Sequence, residues 1–527
     1  MLRLPGTETY DAVVVGGGHN GLVAAAYLAR AGRRTLLLER QPITGGAAIS
    51  AHAFPGVDAR VSRYSYLVSL LPDQIVHDLG LRLELRSRPI ASYTPVRRGN
   101  RDTGLLVERR EGPATAASFR EITGSERDYV AWQKFYAEVA ELAADVAPTL
   151  LQPLPHADEL ASSTSRIWTE LVEQPLGVAL EDRFTDDTVR GVVLTDALIG
   201  TFAGAHDDSL GQNRCFLYHL IGNGTGEWRV PVGGMGAVTD ELARAALAAG
   251  VEIRTGVEVT GVESDGEQAE VHWQDGEEER SVAAPWVLAG VAPAVLDRLV
   301  GRREAVPRPE GAQLKINLLL SRLPRLRSGV DPRIAFSGTF HVAEGYAQLQ
   351  QAYDEAAAGS LPSTPPGELY CHSLTDASIL GAELAGRGFH TLTYFGVHMP
   401  ARLFAHDHDA RKQAAVDQAL RAVDAYLVEP LAQCLARDDR GQLCIEAATP
   451  VELERTLAMP GGHIFHGDLA WPWRIDSSRA SSPAEAWGVS TDVPNVVLCG
   501  SGAVRGGAVS GIGGHNAAMA VLQTVSV

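Results

Sequence analysis

The stretch AVVVGGGHNGLVAAAYLARAGRRTLLLER, Ala12 to Arg40, decides the fold. A run of β-branched residues ending at Val15 suits a strand buried on both faces. Gly16, Gly18 and Gly21 follow as G-x-G-x-x-G. A helix is predicted from near Asn20 to the capping Gly32, and a second buried strand over Thr35–Glu39. The three glycines have separate tasks: a tight turn, approach of backbone to a pyrophosphate, and close helix–strand packing. Phosphates would rest on the helix N-terminus, where free N–H groups and the dipole favour anions. Glu39 stands where an acidic residue is expected about 20 residues beyond the glycines, to bond ribose hydroxyls. Strand, glycines, helix, strand and terminal Glu together predict a dinucleotide site. His19, inside the fingerprint, reads as a loop residue filling space.

Working outward, ERQPITGGAAIS places Arg40 and the doublet Gly45-Gly46 after the second strand. Adjacent glycines let backbone pass close to a ligand. At the other end, NVVLCGSGAVRGGAVSGIGGHNAAMAVL (Asn495–Leu522) reads as strand, glycine-rich crossing and helix. Between them, WRVPVGGMGAVTDELARAALAAGVEIRTGVEVTGVESDG gives a glycine turn, an amphipathic helix and an alternating strand. AEVHW and SVAAPWVLAG are expected to complete a small antiparallel run.

These segments resemble the flavin-dependent amine oxidase and phytoene desaturase superfamily. GGGHNGL, RYSYLVSLLP, GEWRVPVGGMGAV and GGHIFHGDL resemble its phytoene-desaturase-related branch, which includes pyridine nucleotide-disulfide oxidoreductase domain-containing protein 2. The resemblance runs from about Asp11 to Leu522. It implies an α/β fold, a glutathione-reductase-like FAD-binding Rossmann domain with a discontinuous α+β substrate domain. The implied divisions are 1–90, 225–300 and 490–527 for FAD, and 91–224 and 301–489 for substrate. It implies FAD as cofactor, with Gly45-Gly46 along the pyrophosphate and ribityl chain and the backbone near Val259 on adenine. Gly500, Ser501 and Gly502 stand where relatives often carry Gly-Asp-Gly, so a serine hydroxyl would replace a carboxylate on the ribityl. Gly511 and Ile512 would aim N–H groups at the flavin carbonyl edge. Relatives carry arginine after the doublet where this chain has Ala47; Arg505 takes a frequent proline position and His515 a frequent arginine position.

Composition limits the partners. The 527 residues are 45% hydrophobic and 21% charged with net charge −18, which argues against nucleic acid or anionic membrane. No apolar run approaches the ~20 residues that span a bilayer, and MLRLPGTETYD lacks the pattern of a secretory signal. A cytoplasmic protein, with peripheral membrane contact at most, is expected. Cys215, Cys371, Cys434, Cys444 and Cys499 form no C-x-x-C pair, so neither disulfide-reductase chemistry nor a zinc site is expected. No metal is expected.

The remaining segments point to a cap for substrate. Helices are predicted in Ala117–Leu151 and over Ala419–Ala436, with strands in Ala312–Leu323 and Phe389–Met399. GGHIFHGDLAWPW (Gly461–Trp473) is the candidate pocket wall. His466 is the candidate proton acceptor, since histidine titrates near neutrality, against a structural histidine bonding backbone. Phe465, Trp471 and Trp473 either pack the core or line the cavity. HDHDA (His406–Ala410) reads as a solvated charged loop rather than metal ligands. VGGMGAV has the wrong spacing for a second dinucleotide fingerprint, so no NAD(P)H domain is evident. Electrons would come from a small apolar organic substrate and pass to oxygen, a quinone or another carrier. The function read from the resemblance is a desaturase or dehydrogenase that removes hydride from a C–H bond. Alternatives are a flavin amine oxidase, a redox-neutral flavin isomerase, and a lipid-binding chaperone of the Rab GDP-dissociation-inhibitor type, which shares the fold.

Overall fold

A computed structural model describes residues 9–303, 308–475 and 479–525; the start of the stretch read for a secretory signal lies outside them. The quoted sequence folds as strand Ala12–Val15, helix His19–Arg30 and strand Thr35–Glu39. Both strands are wholly buried, which is why they lack polar alternation. They lie in a five-stranded parallel sheet, ordered Val496–Leu498, Trp286–Ala289, Ala12–Val15, Thr35–Glu39, Glu252–Thr255. Every neighbouring pair is parallel.

One face of this sheet carries Val14 and Leu37 into a core with helices His19–Arg30, Met235–Ala248 and Ile512–Val525. The other carries Val13, Val15, Leu36 and Leu38 onto a three-stranded antiparallel sheet through Val271, Trp273 and Val282. That smaller sheet differs from the expected run. Pro285 divides SVAAPWVLAG: Glu278–Ala284 pairs in the antiparallel sheet, while Trp286–Ala289 enters the parallel one. Likewise Gly256, at φ +74°, separates Glu252–Thr255 from Glu258–Ser264.

A mixed seven-stranded sheet forms the second layer. Its order is Ile445–Ala448, Leu314–Leu320, His390–Gly396, Gly367–Tyr370, Thr339–Val342, Ile90–Arg98, Arg101–Glu108. The chain therefore enters this sheet twice, before and after the Rossmann segment. Helices Pro113–Thr123, Arg127–Val146 and Gly211–Ile221 pack their apolar stripes into one large core with Tyr370, Phe395 and Trp473.

Two local readings are corrected. The helix placed at Ala419–Ala436 spans His408–Asp424. It stops there because the chain turns toward Pro430, and Leu431 donates its N–H to Asp424 Oδ1 at 2.6 Å. HDHDA is accordingly not a loop throughout. Asp407, at φ +49°, turns the chain into that helix, and the His408 ring meets Thr449 Oγ1 at 3.0 Å. The five cysteines are buried free thiols.

Candidate functional site

A cavity of about 390 Å³ runs between the two layers, from the ends of the parallel strands to the seven-stranded sheet. Its first part is built by the fingerprint. Gly16, Gly18 and Gly21 line it with Glu39, Arg40, Gly46, Val259, Gly500 and Ser501. Helix His19–Arg30 begins without a side-chain cap, so its first N–H groups are free for an anion.

The glycines separate by cause. Gly21 is fixed by packing: a Cβ there would lie 2.1 Å from the Gly16 carbonyl oxygen. Gly16, at φ +102°, is fixed by backbone conformation. Gly18 has neither reason. Its φ is −68° and ψ 172°, and no protein atom lies within 4 Å of a Cβ built there. That Cβ would fill space in the cavity, so the glycine is explained by an occupant. Orphaned polar atoms on the same wall agree. His19 Nε2, Asn20 Oδ1 and His466 Nδ1 are buried without a protein partner. A dinucleotide, with phosphates at the helix start and donors and acceptors along its length, fits this lining.

Glu39 is held rigidly. One carboxylate oxygen accepts the Gly17 N–H at 2.7 Å and the other the Gln41 N–H at 2.7 Å. Arg40 donates to the Thr456 carbonyl at 2.9 Å. Gly45 donates to the Gly17 carbonyl at 2.8 Å and packs on Ile49 and Thr239. It supports the fingerprint loop from behind and leaves Gly46 on the wall. At the C-terminus, Gly502 packs on Pro293, Gly511 packs on Val23 and Ile75, and Ile512 is in the core. These three lie off the cavity wall, which is made instead by Gly507, Ala508 and Val509.

Arg505 and His515 are structural. Arg505 is fully buried and donates from Nη1 to the Thr149, Leu150 and Gln152 carbonyls at 2.6, 3.0 and 2.7 Å. It closes the carbonyl end of the segment after helix Arg127–Val146. His515 packs against Tyr27 with ring centroids 5.0 Å apart. Trp471 and Trp473 stack at 5.1 Å within the large core, away from the cavity; Phe465 lines it.

The second part of the cavity is lined by Tyr64, Tyr66, Leu67, Leu70, Ile199, Cys215, Tyr218, His219, Trp228, Phe395, Ile464, Phe465, His466 and Leu469. The charged lining residues, Glu39, Arg40, Glu258 and Arg298, all belong to the other end. The two histidines are neutral. Burial, with His463 and His19 nearby, pulls His466 down to about 3. Burial, with His341 nearby, does the same to His219, whose ring lies against Trp228 at 4.4 Å. Burial also raises the Cys215 thiol and the Tyr218 phenol, keeping both protonated. Tyr66 and Phe395 touch at 5.3 Å and Tyr66 stacks on Tyr370 at 4.2 Å.

Sequence reasoning missed Lys315, behind Tyr66. Its ammonium donates to the Ser62 and Ser65 carbonyls at 2.6 and 2.9 Å, and burial pulls it down to about 7. A lone lysine in LKINLLL was the available signal.

The profile of flavin-containing amine oxidoreductases matches residues 21–425. This chain belongs to the flavin-containing amine oxidoreductase family. FAD is its cofactor and it is an oxidoreductase. An uncharacterized protein of Mycobacterium tuberculosis is 49% identical over 528 residues, covering 98% of both chains. Pyridine nucleotide-disulfide oxidoreductase domain-containing protein 2 of Mus musculus is 31% identical over 566 residues, covering 98% of this chain and 93% of its own. A putrescine oxidase structure with bound putrescine shares the fold at 17% identity and TM-score 0.59, covering 99% of this chain and all of its own. The family accounts for the α/β fold with its FAD-binding sheet and added substrate layer. Among the described residues no helix is long and apolar enough to cross a membrane.

Proposed function

We propose that this flavoenzyme removes hydride from a C–H bond of a fairly apolar, uncharged substrate, desaturating a C–C bond. The uncharged second half of the cavity carries the reading: its wall offers aromatic and aliphatic surface and neutral imidazoles, and the carboxyl behind it, Asp196 at 3.1 Å from His219 Nε2, is held well above the usual carboxylate range by burial. FAD supplies the hydride acceptor when bound. The chain binds, orients and excludes water.

In this reading the N–H groups opening helix His19–Arg30 hold the phosphates beside Gly16 and Gly18, with Gly21 allowing the helix to approach. Glu39 takes a ribose hydroxyl, Arg40 flanks it, and the backbone at Val259 faces adenine. Gly46, Gly500 and Ser501 line the ribityl path. Gly45, Gly502, Gly511 and Ile512 set the wall from behind. His466 contacts cofactor or substrate as a neutral hydrogen-bonding group, because its proton affinity is too low for a base at neutral pH. The segments 1–90, 225–300 and 490–527 form the FAD domain and 91–224 and 301–489 the substrate domain. The electron acceptor is external, oxygen, a quinone or a carrier protein, and the protein works in the cytoplasm.

Anaerobic titration of the yellow holoenzyme separates this reading from amine oxidation. Uncharged apolar compounds with an activated C–H bond should bleach the flavin band, and primary amines of matched size should not. Bleaching by amines alone would replace the desaturase reading.

A further inference from the structure

A second polar cluster lies away from the FAD cavity, inside the seven-stranded sheet. His341 and Glu368 are direct partners across the antiparallel strands Thr339–Val342 and Gly367–Tyr370, so their side chains share one face. Glu344 follows two residues after the first strand. Ala343 adopts φ +54°, a conformation L side chains rarely take, and this turn brings the Glu344 carboxylate to 3.2 Å from His341 Nδ1. Helix Asp187–Thr195 closes the site. Gly191 permits it, since a Cβ there would lie 1.9 Å from the Glu344 carbonyl oxygen.

The three ligating residues are almost completely buried, at 4% for His341 and 1% for each glutamate. Yet none of Glu344 Oε1 and Oε2, His341 Nδ1 and the Thr195 hydroxyl makes a well-aligned hydrogen bond; they face one another across the spot, with the Glu344 carboxylate near His341 Nδ1 and the Thr195 hydroxyl. The nearby cation, Arg88, donates to Thr339 Oγ1 and lies over the Tyr370 ring at 5.7 Å; it acts on Glu368 and His341 through space without a hydrogen bond to either. Interiors do not leave a carboxylate without donors, because the lost hydration is not recovered. Four polar atoms turned toward one buried spot without an aligned hydrogen bond point to something bound between them.

We infer that His341, Glu344 and Glu368 bind one divalent transition cation, zinc or manganese. One imidazole and two carboxylates balance its charge and suit its ligand preferences. Their ligand atoms lie within 4.8 Å of one another. Ligands at ~2.1 Å from a tetrahedral metal are about 3.4 Å apart, so the widest pair closes by up to about 1.4 Å on binding, within reach of side-chain rotation. Thr195 and a water complete the shell. Glu368 also accepts the Tyr370 hydroxyl, and Tyr370 stacks on cavity-lining Tyr66. The ion thereby braces the wall of the substrate cavity without touching it.

Elemental analysis of the FAD-loaded enzyme, as purified and after chelation, tests this with zinc or manganese salts alone as probes. The wild type should carry about one equivalent or, once stripped, take up one and melt at a higher temperature. Glu344→Gln should lose it while keeping its flavin, with affinity falling at least the ~10–100-fold seen when a metal's outer-shell partner is removed. Absence of metal from the purified wild type, with no uptake and no melting shift after either salt, would overturn the site. So would metal retained at wild-type stoichiometry by Glu344→Gln. If that variant fails to fold, the wild-type uptake and melting results still decide.

Discussion

The α-carbon of Gly21 faces the Gly16 carbonyl so closely that a methyl group there would stand 2.1 Å from the oxygen. This contact sets the distance between the first strand and the helix whose start lines the cavity. Gly21→Ala must push the helix outward, an overpacking that costs about 1–3 kcal/mol. Denaturant unfolding should show that loss in the cofactor-free protein as well as the holoenzyme.

Glu39 accepts two backbone N–H groups, one per oxygen. In Glu39→Gln the amide nitrogen must face one of those donors. An unmet buried donor costs about 1–3 kcal/mol, a factor of roughly 10–100 in an equilibrium constant. That cost falls on folding with and without FAD. The ribose hydroxyl in addition loses a charged acceptor worth about 1.5–3 kcal/mol, so flavin fluorescence quenching on adding FAD to the apoprotein should report a dissociation constant weaker by roughly 10–100-fold. Unchanged affinity would remove Glu39 from the ribose site.

Arg505 joins the C-terminal glycine crossing to the cap through the Thr149, Leu150 and Gln152 carbonyls. Arg505→Met keeps the bulk and strands those acceptors. We expect a stability loss of about 1.5–3 kcal/mol, the range for charged hydrogen bonds, read by urea unfolding. Flavin stoichiometry at saturating FAD should stay that of the wild type.

Burial pulls His19 down to about 4, and His398 and His466 to about 3, against about 6.5 in the unfolded chain. As pH falls below 6.5 the unfolded state takes up protons that the folded state refuses. Stability therefore falls with falling pH until about pH 4 to 3, and is unaffected by these groups above 6.5. Each contributes a slope of about 1.4 kcal/mol per pH unit inside its window. Unfolding measured from pH 7 to 5 should weaken faster in the wild type than in His398→Phe. The turnover rate should show no inflection near 6.5 that disappears in His466→Gln.

The strand–helix–strand unit at the start of the chain was legible because its signals are local. Glycine spacing, a buried strand and a terminal acid sit within one unit, and backbone conformation, close packing and the open cavity account for Gly16, Gly21 and Gly18 in turn. The uncharged end of the cavity was not, since its wall takes a few residues each from 64–70, 199, 215–228, 395 and 464–469, brought together only by the fold. His466 could be placed on that wall from its motif, but its neutrality depends on burial that no motif displays. The helix at His408–Asp424 was misplaced because its start depends on Asp407 in a left-handed conformation, which asparagine and glycine signal more clearly than aspartate. His341 and Glu368 meet only through strand register, and Lys315 looked like an exception in an apolar run.

Gly18 gives the most direct test of where the flavin sits. Its backbone suits any residue and its missing side chain would meet only the cavity. Visible spectra of the purified wild type and Gly18→Val, each followed by heat release of the cofactor, should show FAD in the first and none in the second. Far-ultraviolet circular dichroism and unfolding of the two apoproteins should coincide. A Gly18→Val protein that remains yellow with stoichiometric FAD would contradict the proposed binding path and the function built on it.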